Sequence, residues 1–153
     1  MAASSEEFTW HVRVRATGKR TATAYVRKST FEIGVPLQFD EEYENATALE
    51  MLLAALGADV VNGFREVARR RRVEVHEVEV LVSGRVNNPL THLGVVGEEG
   101  HPGLEQAMVR VYAGSDADET LVRQAWDDAL ARSPLIHTLR PTVKLNLSLT
   151  VTV

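Results

Sequence analysis

The first third of the chain alternates apolar and polar residues with a period of two. Phe8, Trp10, Val12 and Val14 are separated by polar or basic residues, and the turn sequence Thr17–Lys19 follows. A period of two is typical of a β-strand that buries one face. Two further short runs complete a predicted antiparallel meander before the next proline: Thr21–Val26 and Phe31–Val35.

The clearest helix start in the sequence is Thr47, which is followed three residues later by Glu50 and then by an apolar run. This is the capping-box pattern, in which the hydroxyl and the carboxylate each satisfy an exposed backbone N–H group. The predicted helix continues for about 22 residues, or ~33 Å, towards the cluster Arg69–Arg72. Positive charges in the last turn suit the negative end of the helix dipole.

The first half of this helix is apolar nearly all round. Small residues, among them Ala54, Ala55 and Ala58, fill the positions between its large apolar side chains. A helix of this kind is buried on every side, which one sheet in a domain of this size does not achieve. We therefore expect a second subunit to cover the other face. The large side chains are Leu49, Met51, Leu52, Leu53, Leu56, Val60 and Val61.

The alternation changes phase in the next strand region. Val73 and Val75 occupy odd positions, whereas Val78, Val80 and Val82 occupy even ones. One strand with a β-bulge, or two separate strand pieces, would explain the shift.

The remaining pattern predicts a loop, two strands and a short helix. The segment Val86–Gly103 is rich in glycine and proline and reads as a loop, after which Val109 and Val111 restart a strand. A short helix is predicted from Asp116 or Asp118, and Pro134 limits its extent. The final strand, Val143–Val153, alternates strictly and buries one face.

The composition is that of an ordinary globular protein, with 44% hydrophobic and 25% charged residues over 153 positions. This length predicts a single domain spanning residues 1–153. No apolar run is long enough for a membrane span, and the amino-terminal residues lack the pattern of a signal peptide, so a cytoplasmic protein without a membrane partner is expected. The net charge of −4 argues against a nucleic-acid partner.

The sequence contains no cysteine. Disulfides, thiol catalysis, thiolate zinc sites and iron–sulfur clusters are therefore excluded. No nucleotide-binding glycine motif is present, and no cofactor is expected. His92 and His101 share the long loop with two glutamates, but a flexible polar loop explains them better than a metal site, so no metal is predicted. The arginine run is interpreted as a solvated helix terminus.

Asp59 is the one charged residue between Glu50 and Arg65, in the middle of the apolar helix. A buried carboxylate needs a positive or hydrogen-bonding partner, so a structural ion pair, a solvent channel and a functional role all remain open. Ser133, which precedes Pro134, lies where the short helix should end, and a serine at such a position commonly serves as a cap or turn.

The order of elements resembles the OsmC/Ohr family of osmotically induced and organic-hydroperoxide-resistance proteins. Leu49–Ala58 is similar to the family's Pro-Glu-x-Leu-Leu-x-Ala helix, and Ser133–Leu139 is similar to its Cys-Pro-Val-Ser-x-Thr-Leu segment. The resemblance implies an α+β fold with antiparallel sheets around a long central buried helix and a shorter second helix, assembled as an intertwined homodimer.

Active members of that family reduce organic hydroperoxides with two cysteines, assisted by an arginine and a glutamate. By resemblance, the peroxidatic cysteine falls on Asp59 and the resolving cysteine on Ser133. The arginine falls on Arg20, and the glutamate is placed at or beside Glu50. Because a carboxylate and a hydroxyl cannot perform thiol redox chemistry, we predict that thiol peroxidase activity is absent.

Three functions remain open on the sequence. The first is a homodimer with an interfacial pocket for a small hydrophobic ligand, in which Asp59 pairs with Arg20. The second is an enzyme of another class, a hydrolase that uses Asp59, Ser133 and His137, although no nucleophile-elbow sequence is present. The third is a purely structural or regulatory dimer, which would have no well-formed pocket at Asp59.

Overall fold

The computed structural model describes residues 8–153. The amino-terminal residues in which we expect no signal peptide lie outside the described residues. The described part of the chain contains six strands and three α-helices: β1 Arg13–Ala16, β2 Ala22–Val26, β3 Ser29–Ile33, α1 Ala48–Arg70, β4 His76–Val86, β5 Leu104–Gly114, α2 Glu119–Arg132, α3 Pro134–Leu139 and β6 Lys144–Thr152.

The chain packs as two compact units, one ending at Leu52 and one spanning Leu53–Val153. A mixed α+β fold with two three-stranded sheets results, as the sequence predicts. The prediction of a single domain over residues 1–153 stays a prediction, because a division by packing does not say which parts fold independently. None of the described helices is long and apolar enough to cross a bilayer.

The first unit contains the predicted antiparallel meander, in the order β1-β2-β3. Strand β1 is shorter than expected, and the apolar residues that precede or belong to it are exposed: Phe8, Trp10, Val12 and Val14. The prediction that the chain buries this face is therefore wrong for the single chain. The reason is local, since β1 pairs with β2 only from Arg13 to Ala16.

Helix α1 begins at the predicted capping box. The backbone N–H of Thr47 donates to Oε2 of Glu50 at 3.2 Å, and the N–H of Glu50 donates to Oγ1 of Thr47 at 3.1 Å. Both N–H groups would otherwise lack a partner at the helix start. The predicted start and length of the helix are thus confirmed.

The second unit has a mixed sheet in the order β4-β5-β6. Strand β4 is antiparallel to β5, and the predicted bulge lies between His76 and Glu79. Strand β6 is parallel to β5, so this sheet is not wholly antiparallel as the family resemblance implied. The connection from β5 to β6 passes through α2 and α3, and such a helical crossover is what joins parallel strands.

The core of the second unit lies between this sheet and one face of α1, with α2 against them. A Cβ atom at Gly57 would lie 2.9 Å from the Val82 side chain, so α1 approaches β4 closely at that glycine. Phe64 of α1 is fully buried and meets the ring of Trp126 edge-on, with centroids 5.6 Å apart. Aromatic pairs favour this geometry.

Helix α1 is not buried on every side in the single chain. Its core-facing residues include Leu56, Val60 and Phe64, whereas Ala54 and Ala58 are exposed. The expected all-round burial is therefore not met within one chain, because sheet and α2 cover one face only.

Candidate functional site

Asp59 and Ser133 are brought together by the packing of α1 against the α2–α3 junction. The Ser133 hydroxyl donates a hydrogen bond to Oδ2 of Asp59. Ser133 is buried, with 6% of its surface exposed, and Asp59 is half-buried. The two positions at which the family resemblance places redox cysteines are thus in direct contact, and they are joined by a carboxylate–hydroxyl hydrogen bond.

Ser133 is held in place by two helix ends. Its N–H donates to the Leu130 carbonyl at 3.3 Å and ends α2, while its Oγ accepts from the N–H of Ile136 at 3.0 Å and begins α3. Pro134 follows at the first helical position, where its missing N–H costs nothing. The hydroxyl therefore acts as an N-cap and a donor to Asp59 at once.

A groove of about 650 Å³ lies beside this hydrogen bond. We call it the Asp59 groove. Its walls are mainly small or apolar, and its rim carries Asn62, Glu66, Arg70 and Arg132. Two of these rim groups pair with each other, since Arg70 contacts Glu66 at 2.5 Å. The wall residues are Ala55, Ala58, Gly63, Val67, Ala129, Pro134 and Leu135.

The second rim arginine is also paired, because Nε of Arg132 donates to Oδ1 of Asp128 at 3.0 Å. Both rim arginines thus have carboxylate partners. The Asp59 carboxylate, by contrast, has a hydroxyl partner but forms no ion pair with a cation of the second unit. Sequence reasoning missed these lining residues, because only the packing of α1 on α2 brings them together.

His137 does not complete a catalytic triad with Ser133. Its Nε2 lies 2.6 Å from the Ala131 carbonyl oxygen, and its side chain is exposed. The hydrogen bonds described for Ser133 Oγ go instead to Asp59 and to the Ile136 N–H. A serine hydrolase needs the histidine to accept the serine proton, so this geometry does not present Ser133 as an activated nucleophile.

Glu50 and Arg20 belong to the first unit, and each has a local partner. Glu50 completes the capping box with Thr47. The Arg20 guanidinium lies 5.8 Å from the Tyr43 ring centroid, and the Tyr43 hydroxyl donates to the Arg20 carbonyl at 3.3 Å. The ion pair between Arg20 and Asp59 stays a prediction.

The long loop is held by hydrogen bonds of two asparagines and of His101, whose Nδ1 accepts from the Gly103 N–H at 3.1 Å. Asn88 donates from its amide to Oε2 of Glu98 at 2.9 Å, and Asn87 accepts from the His101 N–H at 3.2 Å. Within residues 8–153, no three side chains of the metal-ligating types come together.

The comparisons with known proteins agree on the fold. The model of the family described as OsmC-like protein matches residues 39–148. No significant match was found among curated protein sequences. The OsmC-like protein from Mycoplasma pneumoniae has a similar structure, with a TM-score of 0.78 and 18% identity, over 95% of this chain and 98% of that one.

Two similar structures are of organic hydroperoxide resistance proteins. That of OhrB from Bacillus subtilis gives a TM-score of 0.60 at 19% identity, over 94% of this chain and 99% of that one. The structure of OsmC from Legionella pneumophila gives a TM-score of 0.64 at 14% identity, over 93% of this chain and 98% of that one. These likenesses show the fold. Because the family model spans well over half of the chain, this protein belongs to the OsmC-like family, and it is a member without cysteine.

Proposed function

We propose that this protein is a homodimeric small-molecule-binding protein that has no thiol peroxidase activity. The observation that carries the proposal is the hydrogen bond between Asp59 and Ser133 beside the Asp59 groove. The two positions that would hold the redox pair by resemblance carry a carboxylate and a capping hydroxyl. A groove lies beside these two side chains.

Loss of peroxidase activity follows from the chemistry of the two side chains. In a thiol peroxidase the thiolate sulfur attacks a peroxide oxygen, the O–O bond breaks, and the sulfur is oxidised before a second thiol reduces it through a disulfide. A carboxylate or alcohol oxygen does not accept the peroxide oxygen in this way. With no cysteine anywhere in the sequence, the cycle has no starting nucleophile.

The lining of the Asp59 groove favours an apolar ligand that carries a hydrogen-bond donor. Ala55, Ala58 and Leu135 offer apolar contact, and burial of an apolar chain against them is favourable at roughly 25 cal/mol per Å². Oδ2 of Asp59 accepts from Ser133, and Oδ1 of the same carboxylate has no partner within its packing unit. An alcohol or an ammonium group would supply the matching donor.

A second copy of the chain is part of the proposal. Ala54, Ala55 and Ala58 expose an apolar face on α1, and such small side chains let another backbone approach closely. Covering that face would also close the Asp59 groove on one side, since Ala55 and Ala58 line it. Light scattering coupled to size-exclusion chromatography should give twice the monomer mass of 16.9 kDa, whereas a monomer at all concentrations would contradict this part.

Binding is tested with three ligands of equal chain length: n-octylamine, n-octanol and octanoate. Isothermal titration should show that the wild-type protein prefers the amine and the alcohol, because octanoate brings a second negative charge to Asp59. The variant Asp59→Asn keeps the acceptor and removes the charge, so it should bind the amine about tenfold more weakly and the alcohol nearly as well.

Two further variants control this experiment. Asp127→Asn makes the same chemical change on the exposed face of α2 and should leave binding unchanged. Arg132→Trp places a large ring at the rim of the Asp59 groove from an exposed position on α2, rather than on the α1 face proposed to meet a second copy, and should block all binding without unfolding the protein. Equal binding of the three ligands by the wild type, or unaltered binding by Arg132→Trp, would overturn the proposed site.

The predicted lack of peroxidase activity has its own test. Purified protein should consume cumene hydroperoxide in the presence of a dithiol no faster than a control without protein. The variant Asp59→Cys, Ser133→Cys restores the sulfur atoms at both positions and serves as a comparison. Consumption of the hydroperoxide by the wild type above the control rate would contradict the predicted absence of peroxidase activity.

A further inference from the structure

A second groove lies at the carboxyl-terminal end of α1 and is lined by three arginines. Arg65, Arg69 and Arg72 are spaced by four and three residues, so the first two share one helix face and the third follows it past the helix end. They line a groove of about 530 Å³ together with Val73 and Val75. We call it the arginine groove, and we call these three residues the groove arginines.

The groove arginines differ from their neighbours in having no side-chain partner among the described residues. Arg70 pairs with Glu66 at 2.5 Å, and Arg71 contacts Asp128 at 3.4 Å. Across residues 8–153, no hydrogen bond or ion pair is described for the side chains of the groove arginines. Three guanidinium groups, each permanently charged and carrying five donors, thus face one concave surface unpaired.

The backbone at Arg72 has a left-handed conformation. Its φ of 57° is in the left-handed region, and it ends α1 in a Schellman motif. The Val73 N–H donates to the Ala68 carbonyl at 2.9 Å, and the Arg72 N–H donates to the Arg69 carbonyl at 3.1 Å. Glycine is strongly preferred at this position because a Cβ atom is strained there. Glycine can therefore replace Arg72 without backbone strain, so Arg72→Gly tests the side chain alone.

We propose that the arginine groove binds the phosphate group of a small phosphorylated molecule. Guanidinium groups match phosphate oxygens with paired hydrogen bonds, and a phosphate offers more acceptors and charge than a carboxylate does. Val73 and Val75 supply an apolar surface for the rest of such a molecule. This groove shares Glu66 with the Asp59 groove, but the groove arginines do not line the Asp59 groove and Asp59 does not line this one, so either proposal can fail alone.

The surroundings favour a small ligand over a nucleic acid. The groove carries two carboxylates, Glu66 and Glu74, and the first of these is neutralised by Arg70. The whole chain has a net charge of −4, which opposes an extended polyanion. The Glu74 carboxylate repels a bound anion, so removal of its charge should strengthen phosphate binding.

Pyrophosphate is the probe, titrated calorimetrically into the full-length protein at constant ionic strength. The variants Arg65→Gln and Arg69→Gln should each weaken binding about tenfold, as expected for loss of one charge-assisted contact. The matched control is Arg71→Gln, which removes the same charge from the same helix end but does not line the groove. It should bind within about twofold of the wild type.

Two variants separate binding from stability. Arg72→Gly should weaken pyrophosphate binding while leaving the melting temperature unchanged or higher, because glycine relieves the left-handed backbone. Glu74→Gln should bind more tightly than the wild type. If Arg72 served the structure alone, Arg72→Gly would bind pyrophosphate as the wild type does.

Several results would overturn the proposal. Wild-type protein that binds pyrophosphate no better than sulfate has no phosphate site. Equal weakening by Arg71→Gln and Arg69→Gln would mean that net charge alone attracts the anion. If a short single-stranded RNA competes with pyrophosphate and binds more tightly, the groove is a nucleic-acid site and the proposal of a small ligand is wrong.

Discussion

The two sheets carry similar apolar alternation but bury it to different degrees. In the first unit, Trp10 is 78% exposed and Phe31 is 40% exposed. In the second unit, the inward side chains of β5 are at most 1% exposed: Ala107, Val109, Val111 and Ala113. Alternation therefore identifies which face of a strand is apolar, but not which part of the structure covers it.

The difference arises from what packs against each sheet within its own unit. The β4-β5-β6 sheet has α1 and α2 on one face, and Phe64 and Trp126 fill the space between these helices. Among the described residues of the first unit, the β1-β2-β3 sheet has no long helix of its own, since α1 contributes only its first residues to that unit. Exposed apolar side chains such as Phe31 on a sheet are typical of a surface that meets another molecule.

The largest expected effect separates the two sheets directly. Phe64→Ala should lower the free energy of unfolding by about 3–5 kcal/mol, because it removes a fully buried ring and leaves a cavity beneath Trp126. Phe31→Ala makes the same change on the first sheet and should cost at most about 1 kcal/mol in a single chain. Urea unfolding followed by fluorescence measures both.

The stability costs of Phe31→Ala and Phe64→Ala should depend differently on protein concentration. If a second copy covers the first sheet, the cost of Phe31→Ala should grow as the protein concentration rises, because association stabilises the folded chain by mass action. The cost of Phe64→Ala should not change. A cost of Phe31→Ala that equals that of Phe64→Ala at every concentration would show that the single chain already buries that ring.

Local signals in the sequence predicted local structure well. The capping box at Thr47 and Glu50 is formed by hydrogen bonds between residues three positions apart, so the sequence alone contains all of its parts. The bulge in β4 was visible as a change of phase in the alternation of valines, and it lies between His76 and Glu79. Asp118 caps α2 as one of the two predicted starts.

Features that depend on contacts between distant residues were harder to predict. Helix α3 is not among the predicted elements, because a serine before a proline is as typical of a turn as of a helix start, and here Ser133 caps a helix that begins at Pro134. The parallel pairing of β6 depends on the crossover through α2 and α3. The Asp59–Ser133 contact joins residues 74 positions apart, and only the family resemblance pointed to a relation between the two. The arginine cluster and the small residues of α1 were visible in the sequence, but the linear pattern did not show that they line grooves.

A smaller effect is expected where the chain passes from the first unit to the second. Thr47→Ala removes one half of the capping box and should lower the free energy of unfolding by about 1 kcal/mol. Glu50→Gln keeps an acceptor for the Thr47 N–H and should change stability little. A large loss with Glu50→Gln would mean that the negative charge acts beyond the cap, as the family resemblance implies for this position.

The smallest effect concerns the two-residue turn between β2 and β3. Arg27 has a φ of 52°, and Val26 pairs with Ser29 across the turn. Arg27→Gly should stabilise the protein by about 0.5 kcal/mol, because relief of left-handed strain exceeds the entropy that glycine gains in the unfolded chain. Lys28→Gly is the matched control: among the described residues Lys28 has no positive φ, so glycine there should only destabilise. Thermal unfolding at a fixed protein concentration should show a higher melting temperature for Arg27→Gly and a lower one for Lys28→Gly. Equal shifts for both variants would show that Arg27 carries no backbone strain.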